Sequence, residues 1–286
     1  MTEPLERRRL IGLAYRMLGS FAEAEDVVQD ALVRFQAVDS ERVHDRGNYL
    51  SKTVARLCLD RLKSARARRE QYFGTWLPEP LVETTAVSPE RALELADDVS
   101  FALMLLLERL SPPERTSFLL HDVFGMDFDS VGEILERSAA ACRKLADRAR
   151  EQVLAERPRF AASAEEEQRL VREFMHAATT GDVSALAQLL AEDAVLYADG
   201  GGRGHAAPKP IYGQDRIVRF VAGVQRHPKY SAPVAIEQCR VNQSPGYLMR
   251  HADGSVAVAA FQITLGRIQC VYVITNPGKL QHVRCP

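Results

Sequence analysis

The stretch DSVGEILERSAAACRKLADRAR, residues 129–150, decides how the rest of the chain is read. It divides into two short amphipathic pieces. In the first, residues 129–135, Val131, Ile134 and Leu135 share one helical face. Glu136 and Arg137 form a brief turn, and Ser138 stands where its hydroxyl caps the next helix by accepting a backbone N–H. In that second helix Cys142, Leu145 and Ala149 make an inward stripe, while Arg143, Lys144, Arg148 and Arg150 mostly point away from it. Two helices, a tight turn, a narrow inner stripe and a basic outer face fit a helix-turn-helix whose second helix enters a DNA major groove. The small residues Ala139, Ala140 and Ala141 let the helix N-terminus approach base edges. A solvated basic face on an ordinary helical hairpin accounts for the same pattern, so the surroundings have to decide.

With 286 residues, 46% hydrophobic and 26% charged, the chain is expected to be globular and to hold two or three domains. The net charge of -1 excludes nothing, but its distribution is uneven. From Lys52 to Arg69 seven basic residues (Lys52, Arg56, Arg61, Lys63, Arg66, Arg68, Arg69) meet the single acid Asp60; from Trp76 to Phe101 six acids, Glu79 and Glu83 among them, face only Arg91. The cysteines Cys58, Cys142, Cys239, Cys270 and Cys285 form no CxxC pair, which favours reduced thiols over a disulfide framework or a zinc site. The N-terminus has no apolar signal core and the apolar run at 101–107 is too short for a bilayer, so a cytoplasmic location without membrane contact is expected.

Four segments follow. Residues 1–72 read as helical: Leu10, Leu13, Ala14, Met17 and Leu18 repeat at helical spacing, and Val27, Val28, Ala31, Leu32 and Phe35 form the stripe of a second helix that leaves Glu25, Asp26, Gln29 and Asp30 outside. A third helix from Asn48 buries Leu50, Val54, Leu57, Cys58 and Leu62 and exposes its basic residues. Residues 73–98, with Pro78, Pro80, Pro89 and the only tryptophan, Trp76, read as an extended linker. Residues 99–157 form a second helical domain: the run FALMLLLERL, a helix start at Ser111-Pro112-Pro113-Glu114, a helix over 115–124 and the helix-turn-helix. Residues 165–286 begin with helices over 165–179 and 183–191, a loop YADGGGRGH and a helix over 214–224. Strands VAIEQCRVN, GYLMRH, SVAVAAFQITL and RIQCVYVITN come after them, which predicts an α+β domain with a curved antiparallel sheet.

The stretches AEDVVQDALVRF, CLDRLKSARARRE, SPPERTSFLLHDVFG and the helix-turn-helix together resemble an extracytoplasmic-function RNA polymerase sigma factor. WLPEP, DGGG and NPGKL resemble the subfamily that carries a fused C-terminal SnoaL-like domain with a nuclear-transport-factor-like (NTF2-like) cone fold; Gly278 stands where that subfamily more often has Asp. The resemblance implies a multidomain chain of two all-α modules, sigma regions 2 and 4, and one α+β cone. It implies that Asp26, Gln29 and Asp30 meet the clamp helices of the polymerase β′ subunit, and that the β flap is a further contact. Asn48, Tyr49, Lys52, Arg56, Arg61 and Lys63 would serve the promoter −10 element, where single-stranded DNA needs a base held out of the stack and cations on the backbone. Ser138, Arg143, Lys144 and Arg148 would serve the −35 element, Arg143 and Lys144 as base or phosphate contacts and Arg148 on phosphate.

In the same reading Trp76, Leu77, Pro78, Glu79 and Pro80, with Asp199, Gly200, Gly201 and Gly202 and with Asn276, Pro277, Lys279 and Leu280, form an interdomain regulatory surface. The acidic linker would mimic nucleic acid or lie across basic region 2. Catalysis by Asp199, His205, Tyr197 or His251 is not expected: Asp199 precedes three glycines and is better placed to organise a turn, and no second base stands at fixed spacing. No enzyme activity, cofactor or metal is implied; a small ligand of unknown identity in the C-terminal domain is left open. The alternatives are a helix-turn-helix regulator that works without polymerase, sensing a small molecule, and a small-molecule enzyme with a helical appendage.

Overall fold

The computed structural model of the chain describes residues 4–38, 43, 45–70, 72, 74–83, 100–155, 163–202, 206–227 and 232–283, with backbone alone over 64–70. The chain divides into two compact units, Met1–Gln71 with Glu90–Arg157, and Tyr72–Pro89 with Pro158–Pro286.

The first unit is helical. Helices α1 (Pro4–Leu18), α2 (Phe21–Gln36) and α3 (Arg46–Glu70) pack through the expected apolar stripes, with Leu10, Leu13, Met17, Val27, Val28, Ala31, Leu50, Val54 and Cys58 buried. Gly19, at φ 71°, turns the chain out of α1, and the Ser20 hydroxyl then caps α2 by accepting the Glu23 amide at 3.3 Å. Helices α4 (Phe101–Arg109), α5 (Pro112–Phe118), α6 (Phe128–Leu135) and α7 (Ala139–Ala155) follow. Glu114 closes a capping box with Ser111 at the start of α5. The helix expected over 115–124 changes its hydrogen bonding midway: at Leu119–Val123 it loosens into a π turn, closed by the Phe124 amide on the Leu119 carbonyl. The helix-turn-helix forms as its polar residues direct. Asp127 caps α6 through the Ser130 amide at 2.8 Å, Glu136 takes the left-handed conformation at φ 55°, and Ser138 caps α7 through the Ala141 amide at 3.3 Å. Cys142, Ala146, Ala149 and Val153 are the buried side of α7; Leu145 is only half-buried.

Arginine 115 fastens the two helical modules together. It is 2% exposed, and its Nη1 donates to the Met17 carbonyl at the end of α1 and to Glu108. A buried cation is tolerated there because it meets both a carboxylate and the negative end of a helix. Arg9 donates to the Phe124 carbonyl at 3.0 Å, and Arg9 and Arg16 both lie over the Phe124 ring.

The second unit is α+β. Helices α8 (Ala164–Thr180), α9 (Val183–Leu189) and α10 (Gln214–Arg226) accompany strands β1 (Val82–Glu83), β2 (Leu190–Asp199), β3 (Ile211–Tyr212), β4 (Ala235–Val241), β5 (Ser244–Arg250), β6 (Val256–Thr264) and β7 (Arg267–Ile274). Among the described residues the strands form one sheet ordered β1-β4-β5-β6-β7-β2-β3. The four strands expected from the sequence form an antiparallel ladder, turned at β4–β5 by Asn242 and Gln243, both at positive φ. The sheet itself is mixed, not antiparallel throughout, because β2 pairs parallel with β7. Strand β2 covers a stretch where the sequence suggests only the end of a helix, to 191, and the start of a loop, from 197. Its alternation is interrupted by exposed Glu192 and Asp193, and the β2–β7 register shifts between Leu190 and Val195. Helix-side burial joins Phe174, Leu196, Ala198, Tyr247, Ala259, Phe261 and Val271, with Phe174 edge-on to Phe261 at 5.3 Å. Registers put Leu248, Val258, Ile274 and Asp199 together on the opposite face.

A Cβ at Gly132 of α6 would sit 2.5 Å from the Arg137 carbonyl, whereas one at Gly223 of α10 meets nothing within 4 Å. Gly132→Ala is therefore expected to destabilise the first unit by about 1–3 kcal/mol, and Gly223→Ala to stabilise the second by about 0.5–1 kcal/mol. Denaturant melts followed by circular dichroism check the opposite signs.

Candidate nucleic-acid interface and linker-binding site

The stretch that the sequence gives as an extended linker belongs, at its N-terminal end up to Glu83, to the second unit. Its fixed point is Asp199, the last residue of β2, which is 0% exposed. Oδ2 accepts the Leu77 amide at 3.0 Å and the Lys279 ammonium at 2.7 Å. Oδ1 accepts the Tyr72 hydroxyl, the Gly201 amide at 3.0 Å and, at 3.5 Å, the Asn276 side-chain amide. Lys279 also donates to the Leu77 carbonyl, and its ammonium lies 4.0 Å from the centre of the Trp76 ring. Asn276 donates to the Tyr72 oxygen at 2.8 Å and accepts the Gly278 amide at 3.0 Å. Burial and the Asp199 carboxylate together hold the Tyr72 hydroxyl well above the usual phenol range.

The three motifs thus meet around Asp199. WLPEP runs between the DGGG and NPGKL turns, with Leu77, Pro78, Glu79, Pro80 and Leu280 buried and Trp76 half-buried. Gly201 is at φ 66°, and a Cβ there would come within 2.7 Å of Asn276. At Gly278 it is the backbone N–H that the turn uses, so glycine serves where the subfamily more often has Asp. Glu79 is buried with His282 at 3.6 Å, and Glu83 accepts from Gln243 at 3.3 Å. Further along, Leu81 and Asn242 exchange two hydrogen bonds, at 2.9 and 3.0 Å, and Val82 pairs with Val241. Both oxygens of Asp199 are taken by donors, and it organises the Gly201 turn by an Asx bond, as expected. Tyr197 stacks on Tyr272, and His205 lies outside the described residues. Cys58 and Cys239 are buried free thiols, the latter pushed up to about 12 by burial.

In the first unit, Asp26, Gln29 and Asp30 line the exposed side of α2, and Val33, 55% exposed, continues the same face one turn on. As a lone apolar residue outside the buried stripe, Val33 carries no signal in the sequence. Arg61, expected on DNA, faces α2 instead: its guanidinium donates to the Glu23 carbonyl and to Asp30 at 3.2 Å, with Asp26 at 3.9 Å. Asn48 is exposed in the first turn of α3, where its amide is capped by Asp45. Tyr49 packs on Phe35 at 5.7 Å, and Lys63 pairs with Asp60 at 3.5 Å. Lys52 donates to Glu133 of α6 at 2.7 Å, and Arg56 reaches the Glu133 carbonyl at 3.4 Å. On α7, Arg143, Lys144 and Arg148 are exposed. Arg150 is held by Asp122 and Asp147, both at 2.7 Å.

Residues 5–68 match the model of Sigma-70 region 2, and residues 100–153 that of Sigma-70, region 4. The chain is 36% identical over 282 residues to the ECF RNA polymerase sigma factor SigJ of Mycobacterium tuberculosis, covering 96% of this chain and 90% of that one. It is 33% identical over 285 residues to the probable ECF sigma factor SigI of the same organism, covering 97% and 93%. The crystal structure of M. tuberculosis SigJ superposes with a TM-score of 0.79 at 34% identity, over 98% of this chain and 97% of that one. No helix among the described residues is long and apolar enough to cross a membrane.

Breaking one side of the Asp199–Lys279 pair leaves a buried charge uncompensated, so Lys279→Met and Asp199→Leu are each expected to cost the second unit about 3–5 kcal/mol. The double variant is expected to cost less than the two singles summed. Trp76, the chain's only tryptophan, reports the loss as a red shift of its emission.

Proposed function

The chain belongs to the extracytoplasmic-function RNA polymerase sigma factors, and from that premise we propose that its fused C-terminal domain restrains promoter use by gripping the segment that joins region 2 to region 4. The observation that carries this is the buried Asp199, which ties Tyr72 and Leu77 of that segment to Lys279 of the C-terminal domain. A carboxylate taken out of water costs several kcal/mol unless it is paired and hydrogen-bonded, so releasing the segment means rehydrating or re-pairing a charge. A grip of that kind does within one chain what a separate inhibitory protein would do by binding.

Sigma factors bind core RNA polymerase and direct initiation at promoters. The exposed acids Asp26 and Asp30, with Gln29 and Val33, suit docking on the basic clamp helices of β′, and Arg61 fixes the two acids in register. Lys52 and Arg56 suit the backbone of the −10 element, with Asn48, Tyr49 and Lys63 on or near the same helix face. Arg143, Lys144 and Arg148 suit the −35 element.

The closed form of the first unit supports a restrained resting state as well. The −10 and −35 elements lie about 25 base pairs apart, roughly 85 Å along B-form DNA. Here Glu133 of the helix-turn-helix touches Lys52 of region 2. Region 4 has to leave region 2 before both elements can be occupied, and Glu133 competes with phosphate for the Lys52 ammonium. A regulator that worked without polymerase would have no use for the region 2 module that occupies residues 5–68.

Run-off transcription with core polymerase on a pool of promoters tests the reading. Charge reversal of Asp26 and Asp30 is expected to lower transcript at least roughly tenfold, and Lys279→Met to raise it severalfold. Transcript unaffected by the first change would remove the proposed polymerase face; transcript unchanged or lowered by the second would remove the restraint.

A further inference from the structure

Two aromatic side chains at the rim of the helix-turn-helix stand outside the roles given so far. Phe128 is the first residue of α6 and is half-exposed. Its ring stacks on His121 of the π turn, centroids 3.8 Å apart and planes 24° from parallel. His121 is itself anchored, its Nδ1 2.8 Å from the Met126 carbonyl; in the neutral ring that nitrogen carries the proton and donates it. On the Phe128 ring rests the guanidinium of Arg143, with Cζ 5.2 Å from the ring centre. His121, Phe128 and Arg143 therefore form a ladder that begins in the π turn and ends on the exposed side of α7.

The chemistry of the last rung matters. A guanidinium lying over an aromatic ring uses its π face and leaves its in-plane N–H donors available, and those are the donors that fork onto O6 and N7 of guanine. A free arginine side chain gives up its rotamer freedom when it binds; one already held by a ring gives up less and is aimed before DNA arrives. Arg143 lies in the second turn of α7, near the end of a recognition helix that meets base edges. The other cations are less suited to the task. Lys144 has no fork, Arg148 lies more than a turn farther from that end, and Arg150 is held by Asp122 and Asp147.

We propose that Phe128, backed by His121, is a positioning residue that aims Arg143 at a guanine of the −35 element and so sets base preference at one position of the promoter. The proposal rests on the sigma-factor reading of the chain. Phe128 touches no DNA in this scheme; it acts through the arginine.

The test uses the full chain assembled with core polymerase and a promoter pool randomised over the −35 element, sequenced before and after capture. Arg143→Ala is expected to erase a guanine preference at one position. Phe128→Leu, which keeps an apolar side chain but removes the ring, is expected to weaken preference at that same position about two- to fivefold and to leave the other positions as they were. Phe128→Tyr restores the preference, and Arg143→Lys weakens it without changing the salt dependence of capture. The proposal is overturned if Phe128→Leu leaves the preference intact, or weakens every position alike, as loss of packing would. It also falls if Arg143→Ala alters no single position while the unsubstituted protein still selects promoters, which leaves the sigma reading standing. An unsubstituted protein that selects nothing with core polymerase overturns that reading and this proposal with it.

Discussion

A single carboxylate without access to water organises half of this molecule. At the end of β2 the buried Asp199 carboxylate is compensated by the cation and donors supplied by Lys279, Leu77, Tyr72, Gly201 and Asn276. Those partners come from three places in the sequence, the closest pair of which is more than seventy residues apart. The constraint explains why the turns beside the carboxylate are rich in glycine: a side chain at Gly201 would occupy the space that Asn276 needs to reach the site. It also explains how the stretch that holds Pro78 and Pro80 acquires a defined path. Its amides at Leu77 and Leu81 are spent on Asp199 and Asn242, and its carbonyls on Lys279 and Asn242.

The first unit obeys a related rule with the opposite sign of charge. Its most deeply buried ion among the described residues is Arg115, held by Glu108 and by the last-turn carbonyl of α1. Around it three basic residues of α3 have protein partners: Lys52 and Arg56 on Glu133, Arg61 on the acids of α2. The exposed pairs among these contribute little to stability. Their consequence is competition, because a cation engaged with a carboxylate has to exchange that partner for phosphate, and this can be tuned by salt and by partner binding.

How much of this was legible in the sequence varies with the range of the interaction. Local chemistry is readable: the stripes of α1–α3, the Ser138 cap, the proline-marked helix start at Ser111 and the four long strands all follow from spacing and short-range hydrogen bonding. Contacts between distant segments are not. The parallel strand β2 was hidden because Glu192 and Asp193 interrupt its alternation, and nothing local reveals that it pairs with β7. Arg61 follows the same basic pattern as Lys63, yet the turn of the helix sends it toward α2. The motifs WLPEP, DGGG and NPGKL could be matched to a subfamily, but the atoms that join them depend on the fold. The His121–Phe128–Arg143 ladder carried no sequence signal at all, since its members come from three different elements.

Hydrogen–deuterium exchange of the backbone amides at Leu77 and Leu81 addresses the central claim directly, that a buried carboxylate holds the interdomain segment on the C-terminal domain. The account predicts that in the full chain both amides exchange as slowly as those of β6 and β7. In Asp199→Asn the Leu77 amide should lose its protection while β6 and β7 keep theirs. Exchange at Leu77 as fast as in an unstructured peptide, or protection that survives the substitution unchanged, would contradict it.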